Sequence, residues 1–253
     1  GFFYFWDARI MITMKFGGTS VGDIQRLQEV ASIVRTYLPQ RPIVVASAMA
    51  GVTNTLLETA QLALQRETDR VKKNVETLKE KHLNVANTLL KDAVRHRELI
   101  QRQSALIAEL ANLYRGVSLL KELSVRSLDA IASFGEILSC LQLAAILKDN
   151  GVNAEFVDAR TIIRTDNHFG EAVVDFSVTN EKVKSALLPL TGKDIVPVIT
   201  GFIGSTEDGL TTTLGRSGSD YTGSIVGAAI DSKEIWIWTD VDGVMTADPR
   251  YVT

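Results

Sequence analysis

Short apolar runs of β type alternate with longer amphipathic stretches along most of this chain, and that alternation narrows the fold more than any other feature. IMITMKF (10–16) reads as a strand, and GDIQRLQEVASIVRTYL (22–38) as an amphipathic helix closed by Pro39. PIVVASA (42–48) reads as a fully apolar strand, followed by a glycine turn and a helix through TLLETAQLAL. The pattern resumes with a helix at about 124–149, the strand NAEFVDA (153–159), and a hairpin-like pair, TIIRT and AVVDFSV, around His168. TNEKVKSALLPL opens with a helix cap, and the strand DIVPVITGF (194–202), the helix SDYTGSIVGAAI (219–230) and the strand KEIWIWTDV (233–241) follow. Strands buried on both faces lose the in–out alternation and need crossovers long enough to hold a helix. The expectation is therefore an α/β fold with a mainly parallel sheet.

The segment from about 65 to 125 departs from this rhythm. It is rich in Lys, Glu, Arg, Gln and Leu, holds one glycine (Gly116) and no proline, and repeats apolar positions at helical spacing. It reads as two or three long helices inserted as a lid or interaction arm, with the charges on solvated faces. His82 and His96 fall there with no second ligand at helical spacing, which argues against a metal site. The 253 residues suit a single domain over 1–253 carrying this insertion, with an aromatic extension over 1–10 that has neither the basic start nor the cleavage site of a signal peptide. A formal net charge of −3 gives no basic footprint for nucleic acid or an anionic membrane, and the apolar runs read as too short to span a bilayer. The single cysteine, Cys140, lies in the apolar pattern ILSCLQLAAIL and reads as a buried thiol. A chain that can form no internal disulfide is expected in a reducing cytoplasm.

Four loops at strand ends carry the chemistry, since ligands of open parallel sheets bind beyond the carboxyl ends of strands. KFGGTS places Lys15 before Gly17, Gly18 and Thr19, the reverse of the usual phosphate-loop order; it is either an anion turn or merely a tight turn. In ASAMAGVTNTL, Ser47 and Thr53 bring hydroxyls near a helix start, as ligand contacts or as caps. In TTTLGRSGSDYT, Gly215 and Gly218 bracket Arg216, a planar fork for a carboxylate or phosphate, and Ser219-Asp220 open a helix that Asp220 alone can cap. WTDVDGVMTADPR sets Thr239, Asp240 and Asp242 after an apolar strand, as ligands or as ordinary turn residues. Glu136, beside a glycine that interrupts the helix in IASFGEILS, is either a pocket residue or a surface glutamate near a kink.

MKFGGTSVGD, VVASAMAGVTNTL, SFGEILS, TGFIGST, TTTLGRSGSDYT and WTDVDGVMTADPR, in this order from about residue 12 onward, together resemble the catalytic domain of aspartate kinases, within the amino-acid kinase superfamily. The last two motifs are nearest to bifunctional aspartate kinase–homoserine dehydrogenases. The resemblance implies a three-layer αβα sandwich that transfers the γ-phosphoryl of MgATP to the side-chain carboxylate of L-aspartate, at the head of lysine, threonine and methionine biosynthesis. It implies small-molecule partners only, ATP and L-aspartate, and a homo-oligomer at full length. Lys15 would neutralise charge on the transferring phosphoryl, with Gly17, Gly18 and Thr19 along its track. Arg216 would take the α-carboxylate of aspartate and Glu136 its ammonium, with Ser47, Thr53, Phe202 and Ser219 completing the pocket. Asp220 would orient the lysines, and Thr239, Asp240, Met245 and Arg250 would hold the nucleotide. Mg²⁺ would be held largely by phosphates and water, with no protein ligand assigned.

Two departures bear on function. Met245 stands where many members have tyrosine near the adenine. The sequence stops at DPRYVT, where members continue with the rest of the kinase domain and small regulatory domains, so a fragment with weak or no activity and no feedback inhibition is expected. Glutamate 5-kinase, acetylglutamate kinase or uridylate kinase chemistry would share the fold. A non-catalytic binding fragment is the alternative from another class.

Overall fold

A computed structural model describes residues 11–239. Five parallel strands form the central sheet in the order β3 (Ala154–Val157), β4 (Val196–Thr200), β2 (Pro42–Ala46), β1 (Ile12–Phe16) and β7 (Glu234–Trp238). β1, β2 and β4 are buried at every residue, so both faces of the sheet are covered, as their continuous apolar runs require. A separate antiparallel pair, β5 (Ile203–Ser205) and β6 (Thr211–Thr213), lies beyond the carboxyl end of β4.

Helices α1 (Ile24–Thr36) and α2 (Val52–Leu64) follow β1 and β2. The Asp23 side chain caps α1 by accepting from the Arg26 amide, and Leu27, Val30, Ala31 and Val34 bury one stripe of it. On one face of β1, Thr13 and Lys15 point toward α7 (Gly218–Ala229), which approaches closely through glycines. A Cβ on Gly223 would stand 3.2 Å from the Lys15 Cβ, and one on Gly227 would stand 2.6 Å from Ile235. α6 (Phe176–Thr191) packs beside α7.

α5 (Val125–Asp149) is the fold's central helix, buried without a break from Ile131 to Ala144. It lies between the sheet and an outer layer of α2, α3 (Thr68–Leu89) and α4 (Ala93–Leu120). Its length and composition would suffice to cross a bilayer, unlike the sequence reading, but enclosure on all sides accounts for them. The SFGE stretch does not interrupt it. Gly135 instead removes a side chain where a Cβ would meet the Ala48 Cβ at 2.8 Å, so the close approach of helix to loop, not a kink, is the reason for glycine. The Cys140 thiol is fully buried and donates to the Ala46 and Ile199 carbonyls at 3.4 Å each, which ties α5 to β2 and β4.

Two further expectations need correction. The hairpin-like pair reduces to a single antiparallel bridge, Thr165 to Val174, because Asp175 caps α6 by accepting from the Val178 amide. The cap therefore lies four residues before Thr179, and the last three residues of AVVDFSV are helix. The segment 65–125 is no free arm either. Leu78, Val85, Ala86, Leu99, Ile107, Leu110 and Tyr114 belong to the main core, and the Tyr114 hydroxyl donates to the Leu56 carbonyl at 3.0 Å. Leu110→Ala should therefore destabilise the whole domain by about 2–5 kcal/mol in urea unfolding, with faster hydrogen exchange at the β1, β2 and β4 amides. Loosening confined to α3 and α4 would show that those helices fold as a separate unit.

Candidate functional site

A cleft of about 390 Å³ opens above the carboxyl ends of β1, β2 and β4. Lys15, Gly18, Ser47, Thr53, Glu136, Phe202, Arg216, Ser219 and Asp220 line it, residues drawn from five separate segments of the chain. It also takes in Ala48, Asn54 and Ser217, which sequence reasoning passed over; small side chains common in any loop, they gave no signal of their own.

Lys15 is buried in β1, and its ammonium meets Asp220 Oδ1 at 2.5 Å in the first turn of α7. A buried cation must be paired, and the pairing also draws a carboxylate to a helix N-terminus, where the dipole favours it. A Cβ at Gly17 would sit 3.4 Å from Lys15 Nζ, so a bare backbone leaves the ammonium's approach open. Gly17 donates to the Trp238 carbonyl at 3.0 Å, and Phe16 stacks on Trp238 with ring centroids 5.9 Å apart. These contacts fix the KFGGTS loop against the end of β7, where Thr239 follows. Thr19 is exposed, and neither it nor Gly17 lines the cleft.

The β2–α2 loop forms a second wall. Ala50 donates to the Gly18 carbonyl at 3.1 Å, and a Cβ at Gly18 would sit 3.0 Å from the Ala48 carbonyl oxygen, so the two loops pack backbone to backbone. Beneath them, Glu136 Oε1 accepts from the Ala48 amide at 3.2 Å, while Oε2 is buried with no hydrogen-bond partner among the described residues. Asp129, about two turns earlier on α5, shows what a satisfied buried carboxylate looks like. It accepts from the Gly170 amide, the Thr213 amide and the Thr213 hydroxyl at 2.7–3.0 Å. Burial pushes the Glu136 carboxyl from an ordinary 4.5 up to about 8, against the smaller downward pull of its bond from Ala48. Glu136 is thus a pocket residue, and neutral at pH 7 while the pocket is empty.

The third wall is strained. Phe202 and Ser217 both take left-handed backbone, with φ of 68° and 57°, a conformation costly for side chains other than Gly, Asn or Asp. The Phe202 amide donates to Thr222 Oγ1 at 3.0 Å, and its carbonyl accepts from Leu214, which holds the strained peptide. A Cβ at Gly201 would lie 2.6 Å from Ser219 Oγ, and one at Gly218 would lie 2.7 Å from the Phe202 ring. These glycines let Ser219 and Phe202 face the cleft. Arg216 is exposed at the rim and makes no ion pair among the described residues. Asp240, Met245 and Arg250 lie outside the described residues.

The Glu136 proton has a consequence for stability. The unfolded chain releases it above 4.5, but the folded empty pocket keeps it until about 8. Ionisation of this group therefore adds no cost at low pH and adds progressively more as pH rises through that window. Glu136→Gln should raise the melting temperature of the empty protein more at pH 8 than at pH 4.5. Equal shifts at both pH values would contradict a protonated Glu136.

Compared with known proteins, residues 11–253 match the amino acid kinase family. The chain is 37% identical over 254 residues to aspartokinase 1, chloroplastic, of Arabidopsis thaliana, covering 95% of this chain and 42% of that protein. It is 36% identical to lysine-sensitive aspartokinase 3 of Escherichia coli K12, covering 96% and 52%. The crystal structure of E. coli aspartokinase III in complex with aspartate and ADP superposes with a TM-score of 0.84 at 34% identity, over 95% of this chain and 51% of that one. The chain thus spans about half the length of the relatives it matches. With a parallel sheet, a glycine-lined cleft at its carboxyl edge and a family match over nearly the whole sequence, this chain belongs to the amino acid kinase family.

Proposed function

We propose that this chain carries the catalytic part of an aspartate kinase, which transfers the γ-phosphoryl of MgATP to the β-carboxylate of L-aspartate and yields 4-phospho-L-aspartate. The observation that carries this reading is the unpaired, buried oxygen of Glu136 sharing one cleft with Arg216, Lys15 and Asp220. A free amino acid presents an ammonium and an α-carboxylate. Among the described residues, Glu136 is a buried acceptor short of one donor, and Arg216, exposed at the rim of the same cleft, makes no ion pair. An N-acylated amino acid would leave Glu136 without its cation, which disfavours acetylglutamate. The aspartokinase relatives, one of them solved with aspartate and ADP, support the same assignment.

In this mechanism no base is required, because a carboxylate nucleophile is already ionised at neutral pH. One of its oxygens attacks the γ-phosphorus, the bond from that phosphorus to the β,γ-bridging oxygen breaks, and ADP leaves with the bond's electron pair. Lys15 faces the negative charge of the migrating group, and Asp220 keeps its ammonium aimed. Gly18 lines the cleft and, with Gly17 and Thr19 beside it just outside, forms the track for the phosphates, while Thr239 with Asp240, Met245 and Arg250 serves the nucleotide. Ser47, Thr53, Ser219 and Phe202 close around the amino acid. Bound Mg²⁺ supplies charge neutralisation across the phosphates. No group of three His, Cys, Asp or Glu side chains converges among the described residues, which suits an ion held chiefly by phosphate oxygens and water.

The direct test supplies the intact protein with MgATP and a panel of aspartate, glutamate and N-acetylglutamate, following ADP release and trapping acyl phosphate with hydroxylamine. Hydroxamate formed from aspartate supports the proposal, and turnover of glutamate or N-acetylglutamate in its place overturns it. Lys15→Ala should lower turnover by several orders of magnitude with modest change in aspartate affinity, whereas Arg216→Ala should weaken aspartate by at least about tenfold. Near-wild-type turnover, or an unchanged aspartate KM, would remove the corresponding residue from its role. Because the ammonium must meet an ionised Glu136, aspartate should bind more tightly as pH rises toward about 8 and should release a proton at pH 7.

A further inference from the structure

The β2–α2 loop that walls the cleft has little regular structure of its own, yet three short contacts depend on its shape. The Ala48 amide donates to Glu136, the Ala50 amide donates to Gly18, and the Ala48 carbonyl packs on the Gly18 Cα. A displacement of this loop moves the ammonium acceptor and the phosphate track together. What grips it comes from the helical segment between the two halves of the sheet. Lys81 on α3 donates its ammonium to the Ala50 carbonyl at 2.8 Å. Its next neighbour in sequence, His82, is fully buried and shares Gln142 Oε1 with Gln103, at 3.3 and 3.2 Å. The Gln142 amide in turn reaches the Met49 sulfur at 3.6 Å, in the same loop. Two consecutive residues of α3 therefore reach two consecutive residues of the loop, one through a charge and one through a buried glutamine.

Partial burial lowers the Lys81 ammonium below its ordinary pKa, and the carboxylate of Asp23, which caps α1 just after the KFGGTS loop, partly offsets this by favouring the charged form. The ammonium thus stands where the two cleft loops meet.

We propose that Lys81 is a positioning residue for the amino-acid subsite: it fixes the Ala50 carbonyl, and through the loop backbone it fixes the Ala48 amide against Glu136. The long helices α3 and α4 then serve the site as its scaffold. Lys81 does not line the cleft, so it acts only through the loop. The proposal rests on the aspartate reading for its kinetic form but not for its structural form.

The test compares wild type, Lys81→Met and Lys81→Arg in the intact protein. Methionine keeps the length and apolar stem and removes the donor, whereas arginine restores a cationic donor. Lys81→Met should raise the aspartate KM about tenfold, the scale of one charged hydrogen bond, while the ATP KM stays within about twofold and Lys81→Arg recovers most of the loss. Amide exchange at Ala48 and Ala50 should quicken in Lys81→Met, return in Lys81→Arg, and stay unchanged at the β1 and β2 amides. An unchanged aspartate KM with unchanged exchange overturns the proposal. So does a uniform loss, with both KM values, melting temperature and strand exchange shifting together. If wild type does not phosphorylate aspartate, the functional reading fails, and loop exchange alone still decides the role of Lys81.

Discussion

The constraint from which the site follows is the cost of keeping an ionisable side chain away from water at the end of a parallel sheet. Two such groups stand in this cleft, and the fold treats them differently. Lys15, in a strand buried at every position, is matched by Asp220, and the match dictates where the N-terminus of α7 must lie and why Gly223 must pass against the lysine stem. Glu136, on the most enclosed helix of the molecule, receives one amide and no cation, and so holds a proton instead. Under the proposed function, the paired cation would meet a phosphate and the acid without a cation would meet an ammonium. Their difference in partners is a difference in task.

Structure around the two groups is arranged by close backbone approach more than by side-chain bulk. Gly135 admits Ala48 so that its amide reaches Glu136, Gly18 admits the Ala48 carbonyl, and Gly201 admits Ser219. The left-handed peptides at Phe202 and Ser217 are held by Thr222, Leu214 and the start of α7, a local strain offset by the surrounding core. Such a cleft binds through preset geometry, which suits phosphoryl transfer, where positioning and charge supply most of the rate.

Much of this could be read from the chain because it depends on local pattern. The apolar runs at β1, β2, β4 and β7 read as strands, the helix-length connections between them implied a parallel sheet, and the motif loops did converge on one cleft, bringing together Lys15, Ser47, Thr53, Glu136, Phe202, Arg216, Ser219 and Asp220. What could not be read depends on neighbours distant in sequence. AVVDFSV has the composition of a strand, but Asp175 offers a stronger cap than the strand offers a partner, so the helix starts early. The charged faces of α3 and α4 suggested a solvated arm, since nothing local shows that Leu110 and Tyr114 face the Leu56 side of α2. Whether Glu136 was a surface or a pocket residue likewise turned on Ala48, far away in sequence. Lys81 left no trace at all, because its partner is a backbone carbonyl and any residue supplies one.

In the empty cleft Glu136 is a neutral acid, and under the proposed function it becomes a carboxylate when an amino-acid ammonium arrives. Difference infrared spectroscopy of wild type against Glu136→Gln reads this directly at pH 7. The account predicts a protonated carboxyl C=O band in the empty protein that is absent from the variant and is replaced by carboxylate bands when L-aspartate is added. A carboxylate already present before aspartate, or a protonated band that persists at saturating aspartate, would contradict it.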